Sequence, residues 1–547
     1  MLIRSLFCRP RRSARRSRSL TCVPSTGMEN LETRALLSAV AGVSADAIAS
    51  AEPAPVCEIT DPEFSVEDGT ATLTGTHLAD DIDVFNFAGQ VIFAISNSNG
   101  TTYYSVSESA IDTVVIDALC GADSVEIHSG ISESVEINGG QGSDLIVHNG
   151  LAGGVFNGNA GDDTILGSAS SDLISGGLGN DQIGSGAGFD VVFGGQGNDL
   201  IAGGDTSDIL LGGDGHDTVY GVGGADLIFG DGLNSLPPNL SIDPAQLEEA
   251  LLRIGNAGDG NDYIEAGLGN DRVYAGNGSD LVFGDAGDDT VYAGDGSDSV
   301  SGGDGNDWLF GMAGRDVMTG DGPNTLADVP VPAGDVDFET YVVRVGEMGR
   351  GHDYMEGGDG ADLLVSGAGN DLVFGGAGAD SLYTGTGADI AVGGDGNDRL
   401  FTGAGNDLVF GDGTNSLPET LPKDRTIVRE YVHRFSLANS GNDVIFSGAG
   451  NDIVLAGVGN DRVDAGAGDD VVLGQSGNDS LDGGDGNDSV YGGDGDDVLI
   501  GGDGEDYLDG GAGIDEFFAQ DGYADVLCIE AGEVAHIDAL LDELIEC

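Results

Sequence analysis

The chain has 547 residues, with 95 acidic and 19 basic side chains and a formal net charge of −76. Such acidity excludes nucleic acid as a partner, because phosphate is repelled. With 98 glycines and one tryptophan, the length does not divide into several ordinary globular cores. Apolar residues at strict intervals also argue against the disorder that high charge and much glycine often bring.

The first 34 residues hold Arg4, Arg9, Arg11, Arg12, Arg15, Arg16, Arg18 and Arg34, eight of the 19 basic residues. Residues 1–58 therefore read as an Arg-rich targeting segment and linker outside the fold. No apolar h-region follows the arginines directly, so this is not an ordinary signal peptide. The stretch "MENLETRALLSAVAG", from Met28, resembles the short LEPR-XLL element of large bacterial surface proteins. Cys8, Cys22, Cys57, Cys120, Cys528 and Cys547 are scattered, and no C-x-x-C spacing points to zinc or redox chemistry. Cys528 and Cys547 could pair, which an extracellular location permits. No apolar stretch reaches the roughly 20 residues that a membrane span needs.

Residues 59–138 alternate in β fashion, as in "TATLTG", "IDVFNF" and "QVIFAIS", with Asn99-Gly100 at a hairpin-like turn. "SVEIHSG" and "SVEINGG" suggest coils that stack before the regular pattern begins. This region is expected to be a β-rich N-terminal cap that protects a sheet edge.

From residue 139 to 518 one nine-residue phrase recurs, G-G-x-G-x-D-x-U-x, with U a large apolar residue. Its aspartate falls at Asp163, Asp172, Asp181, Asp190, Asp199, Asp208, Asp217 and Asp226, always nine apart. A second run is Asp262, Asp271, Asp280, Asp289, Asp298, Asp307 and Asp316, and a third is Asp353, Asp362, Asp371, Asp380, Asp389, Asp398 and Asp407. The last is Asp443, Asp452, Asp461, Asp470, Asp479, Asp488, Asp497, Asp506 and Asp515. "GGQGSDLIV", with Asp144, is an earlier copy.

These phrases resemble the RTX, or hemolysin-type, calcium-binding nonapeptide repeats. The resemblance implies an all-β parallel β-roll with two nonapeptides per coil and multiple Ca2+ ions between stacked turns, held by the 31 aspartates of the four runs. The residue types suit that chemistry. Glycine allows the positive φ angles of tight turns, and carboxylate and carbonyl oxygens are the ligands calcium prefers. The residues after each aspartate should form a short strand with U inward, as at Ile183, Val192 and Ile201. With two phrases per coil, each aspartate stacks about 4.8 Å from the one 18 residues on. A cation between them would answer the repulsion.

Three interruptions, at 230–256, 320–347 and 411–437, begin "GDGLNSL", "GDGPNTL" and "GDGTNSL". Asp172, Asp262, Asp353 and Asp443 are spaced by 90, 91 and 90, so the array is a duplicated superrepeat with one turn expanded in each unit. If no insert adds a strand, consecutive inserts leave from opposite edges of the roll. The first contains "DPAQLEEALLRIG" with helical spacing, and the second an extended "ETYVVRV". The third holds Lys423, Arg425, Arg429 and Arg434, which either tether it to the acidic roll or dock an anionic partner. Residues 519–547, past the last regular aspartate, read as an acidic amphipathic segment, a C-terminal cap or part of an export signal.

No H-E-x-x-H, G-x-S-x-G or Walker loop is present. His216 and His352 occupy the variable fifth turn position and read as solvated. Aromatics recur at the ninth position, and Tyr274, Tyr292 and Phe310, 18 apart, should form one outward ladder. Such a ladder either shields the strands or offers sugars a stacking surface. What the resemblance implies is a non-enzymatic, secreted or cell-surface calcium-binding protein, structural or adhesive, with polysaccharide or another surface protein as partner. The alternative is an extracellular polysaccharide-modifying enzyme or its accessory module, as in alginate epimerases, although residues 35–138 are too short for their catalytic domain. A pore-forming hemolysin comes third.

Overall fold

The computed structural model describes residues 61–231, 260–321, 351–413, 440–530, 532–537 and 541–546. The local rule is simple. After each repeat aspartate comes a short strand whose middle residue is apolar, and then a glycine turn. Gly484 at φ +102° and Gly486 at φ +151° hold one such turn in a region that other residues rarely enter. Successive turns therefore send the chain alternately into two facing sheets. Ile183 pairs with Ile201 and Val192 with Leu210, parallel and in register. A shift of 18 residues per coil means two nonapeptides per coil, as expected from the repeat.

Among the described residues one sheet contains 22 strands, and the alternate strands build the other. Between them lies a core about one side chain deep from each sheet. Ile174, Ile183, Val192, Ile201, Leu210 and Val219 are 0–3 % exposed and continue as one apolar stack along the roll.

The N-terminal strands are β1 (Glu63–Glu67), β2 (Thr70–Thr74), β3 (Asp81–Phe87), β4 (Gln90–Asn97), β5 (Gly100–Ser107), β6 (Thr113–Asp117), β7 (Ser124–Ile127) and β8 (Ser134–Gln141). β1 runs antiparallel to β2, and β3, β4 and β5 form an antiparallel meander that turns at Asn97–Gly100. β2 then pairs in parallel with β6, and β3 with β7, which sets the direction of every later coil. Phe64 packs on Phe93 and stacks on Tyr104, with centroids 5.1 and 4.9 Å apart, over this end of the core.

The first and third inserts leave one sheet after Leu227–Asp231 and Leu408–Asp412, and the chain re-enters the other at Tyr263–Glu265 and Val444–Phe446. The second makes the opposite crossing, from Val317–Thr319 to Tyr354–Gly360. Consecutive inserts thus open on opposite edges, and among the described residues no extra strand enters either sheet at an insert. The segments "DPAQLEEALLRIG", "ETYVVRV" and "PKDRTIVREYVHRF" lie outside the described residues.

One feature departs from the sequence reading, and a second goes beyond it. The roll does not stop near residue 518. Strands Val526–Ile529, Val534–Ile537 and Glu543–Glu546 continue both sheets in parallel, with Phe517 and Leu527 turned into the core. The glycine signature ends there, but apolar residues at the inward position do not. The outer face is also not uniformly exposed. Phe193, Leu211 and Phe229 flank inward residues, yet are at most 2 % exposed, as are Phe374, Val392 and Phe410 further along the same sheet. The outward ladder does form: Tyr274 stacks on Tyr292 at 4.8 Å, and Tyr292 on Phe310 at 4.7 Å.

Candidate metal centre

All 31 repeat aspartates are at most 3 % exposed. They form two ladders, one along each edge of the roll, and the geometry repeats at every rung. The backbone N–H of Asp163 donates to Oδ1 of Asp181 at 2.8 Å, and that of Asp172 to Oδ1 of Asp190 at 2.8 Å. The ladders continue past each insert, where Asp217 bonds to Asp262, Asp307 to Asp353 and Asp398 to Asp443. One carboxylate oxygen is thus fixed by a backbone N–H of the preceding coil. At nearly every member the other, Oδ2, is buried with no hydrogen bond, as at Asp181, Asp199, Asp289, Asp380 and Asp488. Asp172 differs, since its Oδ2 accepts from the amide of Ser168 at 2.6 Å.

Oxygens from two coils converge on that free atom. A Cβ added to Gly483 would lie 2.6 Å from Oδ2 of Asp488 and 2.6 Å from the carbonyl of Gly501, in the next coil. Glycine leaves this cradle open, and carboxylate and backbone carbonyl supply it with oxygen alone. That donor set fits a hard divalent cation such as calcium and not the nitrogen and sulfur sites of zinc.

Electrostatics point the same way. Burial, reinforced by like charge along the ladder, pushes the Asp208 and Asp353 carboxyls up to about 9. The same causes bring Asp190, Asp262, Asp289 and Asp443 to about 8. Ionised carboxylates buried without a counter-charge are costly, so the roll at neutral pH calls for protons or cations at these oxygens.

The ladder is longer than the nine-residue period shows. The amide of Asp80 donates to Asp123, Asp123 to Asp144 and Asp144 to Asp163, at 2.7–2.8 Å. At the other end Asp506 donates to Asp525 at 2.9 Å. Irregular spacing hides Asp80, Asp123 and Asp525, and only an aspartate placed before a short apolar run marks them. The fifth turn position also carries a ladder. The Asn198 amide donates to Oδ1 of Asn180 at 2.8 Å, and the Asn261 and Asn370 amides donate to Nδ1 of His216 and His352 at 2.7 Å. Both histidines are exposed, as expected, but each serves as a backbone acceptor.

A family model described as the RTX calcium-binding nonapeptide repeat matches residues 149–235, 256–322, 349–417 and 437–517 through overlapping or adjoining copies. No curated protein matches the chain. The matched segments cover more than half of the sequence and coincide with the coils that carry the aspartate ladders, so the chain belongs to the RTX calcium-binding repeat family.

Proposed function

We propose that this is a secreted or cell-surface protein whose β-roll folds on binding calcium and serves a structural or adhesive role. The repeat aspartates from Asp163 to Asp515 are its calcium ligands. The observation that carries this reading is the buried Oδ2, left without a hydrogen bond at coil after coil. A carboxylate whose only purpose was to cap the preceding coil would not need its second oxygen buried. Ions shared between neighbouring coils would number on the order of 30 and bring about +60 against the formal −76.

Extracellular calcium modules bind at roughly 0.1–1 mM, far above cytosolic free calcium. Binding free energy would then be folding free energy, and the chain would fold only outside the cell. Cys120 and Cys528 are disulfide-bonded, which suits an oxidising compartment. Among the described residues no helix is long and apolar enough to cross a membrane. The flat stack of Tyr274, Tyr292 and Phe310 supports polysaccharide as the partner.

The test is far-ultraviolet circular dichroism during a calcium titration of the purified chain. A cooperative passage from coil to β is expected by about 5 mM calcium, just above those affinities. Magnesium should substitute poorly, since it demands tight octahedral geometry and gives up water reluctantly. A complete β spectrum in excess chelator would overturn the proposal.

A further inference from the structure

At the mouth of each insert an aspartate stands where the repeat has its second glycine: Asp231, Asp321 and Asp412. In a closed turn the backbone carbonyl at this position accepts from the third-position amide one coil on. Ala467 donates to Gly448 in this way at 2.8 Å, and Asp485 to Gly466 at 2.7 Å. Where an insert opens the turn, the side chain takes over this bond. Oδ2 of Asp231 accepts from the Asn277 amide at 2.6 Å, Oδ2 of Asp321 from Ala368 at 2.9 Å, and Oδ2 of Asp412 from Val458. A Cβ on Gly457 would overlap the Asp412 carboxylate, just as one on Gly466 would overlap the carbonyl of Gly448. The carboxylate oxygen therefore stands in for a missing backbone oxygen.

Capping needs only that one oxygen. The other, Oδ1, is buried without a hydrogen bond in Asp321 and Asp412, residues that are 0 % and 1 % exposed. These oxygens have company. A Cβ on Gly411, the residue before Asp412, would overlap Oδ2 of Asp443, itself buried and without a hydrogen bond. One on Gly320 would likewise overlap Oδ2 of Asp353. Each mouth thus holds one negative charge more than a closed turn with glycine at that position, in a place where a free carboxylate oxygen is costly.

We infer that each insert mouth is a calcium site of its own kind, in which Asp321 or Asp412 supplies an extra carboxylate ligand beside the repeat aspartate Asp353 or Asp443. Asp231 repeats the arrangement at the first mouth through its bond to Asn277. The inference rests on the calcium reading of the repeats and adds sites that the nine-residue phrase does not contain. It makes the root of each insert, and not only the regular coils, dependent on calcium.

The test uses the full chain carrying Asp321→Asn or Asp412→Asn, alone and together. Asparagine keeps an oxygen for the capping bond and discards the charge. Native mass spectrometry at a calcium concentration that just saturates the parent counts the bound ions, and circular dichroism follows the fold. Each single variant should keep its β spectrum and carry one calcium ion fewer, and the double variant two fewer. A folded variant with the parent's ion count would overturn the inference. So would a single variant that loses the whole roll, because neighbouring coils keep their own sites and one ligand at an insert cannot hold them all. A parent chain that binds no calcium is a different outcome and sinks the proposed function itself.

Discussion

The backbone N–H of Asp488 donates to Oδ1 of Asp506, 18 residues further on, at 2.8 Å, while Oδ2 of Asp506 is buried with no hydrogen bond. The two oxygens of one carboxylate thus differ in duty: one holds the backbone, and the proposed function gives the other to a cation. Asparagine could fill the first and not the second.

Replacing Asp479, Asp488, Asp497 and Asp506 by alanine removes both duties from four coils near the C-terminal end. Each lost hydrogen bond to a charged acceptor costs about 1.5–3 kcal/mol. The calcium midpoint should move to higher concentration, and hydrogen exchange should show the coils after residue 461 opening first. Uniform exchange along the roll would contradict this.

Acid should partly replace calcium. In the calcium-free roll burial pushes the carboxyls of Asp208 and Asp353 up to about 9 and those of Asp190 and Asp262 to about 8, against 3.8 for an ordinary aspartate. A raised folded value favours the protonated form, so this contribution is complete below the unfolded value and is lost as pH rises through the folded one. In chelator, β structure should therefore grow as pH falls from about 9 to about 6. With calcium present the dependence reverses. Binding displaces protons, and the calcium midpoint should fall as pH rises over the same range. A chelated chain with equal β content at both pH values would count against it.

Gly486 has φ +151°, and a Cβ there would overlap the carbonyl of Gly468. Gly522 also has positive φ, +98°, but nothing lies within 4 Å of its Cβ position. Gly522→Ala should cost only backbone strain, about 1–3 kcal/mol. Gly486→Ala adds a clash with backbone that cannot move aside, and should raise the calcium midpoint further. Equal midpoints for the two variants would show that the close approach of coils is not limiting.

Tyr292 lies between Tyr274 and Phe310 with centroids 4.8 and 4.7 Å away. Tyr292→Ser removes two stacks worth about 0.5–1.5 kcal/mol each. Thermal stability in calcium should fall modestly while the number of bound ions stays the same. Loss of glycan-array binding by this folded variant would support a polysaccharide partner. Absence of glycan binding by the parent would remove that partner from consideration.

The regular part of the site was legible because a fixed period of nine places chemically identical groups on the same two edges. Asp80, Asp123 and Asp525 were not, since their ladder depends on strand pairing and not on interval. Asp321 and Asp412 sat in quoted motifs, but their role appears only where an open turn removes a backbone acceptor. The parity of the inserts followed from counting turns. The buried outer face had a signal that alternation obscured. "VVF" and "ILL", after Asp190 and Asp208, are apolar at all three strand positions, the pattern of strands buried on both sides.

Every rung of the aspartate ladder points the same way, with the amide on the N-terminal coil and the carboxylate on the C-terminal one. Cut across, the roll would therefore show bare carboxylates on one face and bare amides on the other, with matching spacing. Two such cut faces are complementary, and head-to-tail joining of identical bodies has no natural end. Antiparallel β1, β4 and β5 break the parallel repeat at the N-terminal face. They make the molecule finite: without them the same chemistry that stacks coil on coil would stack copy on copy into a fibre.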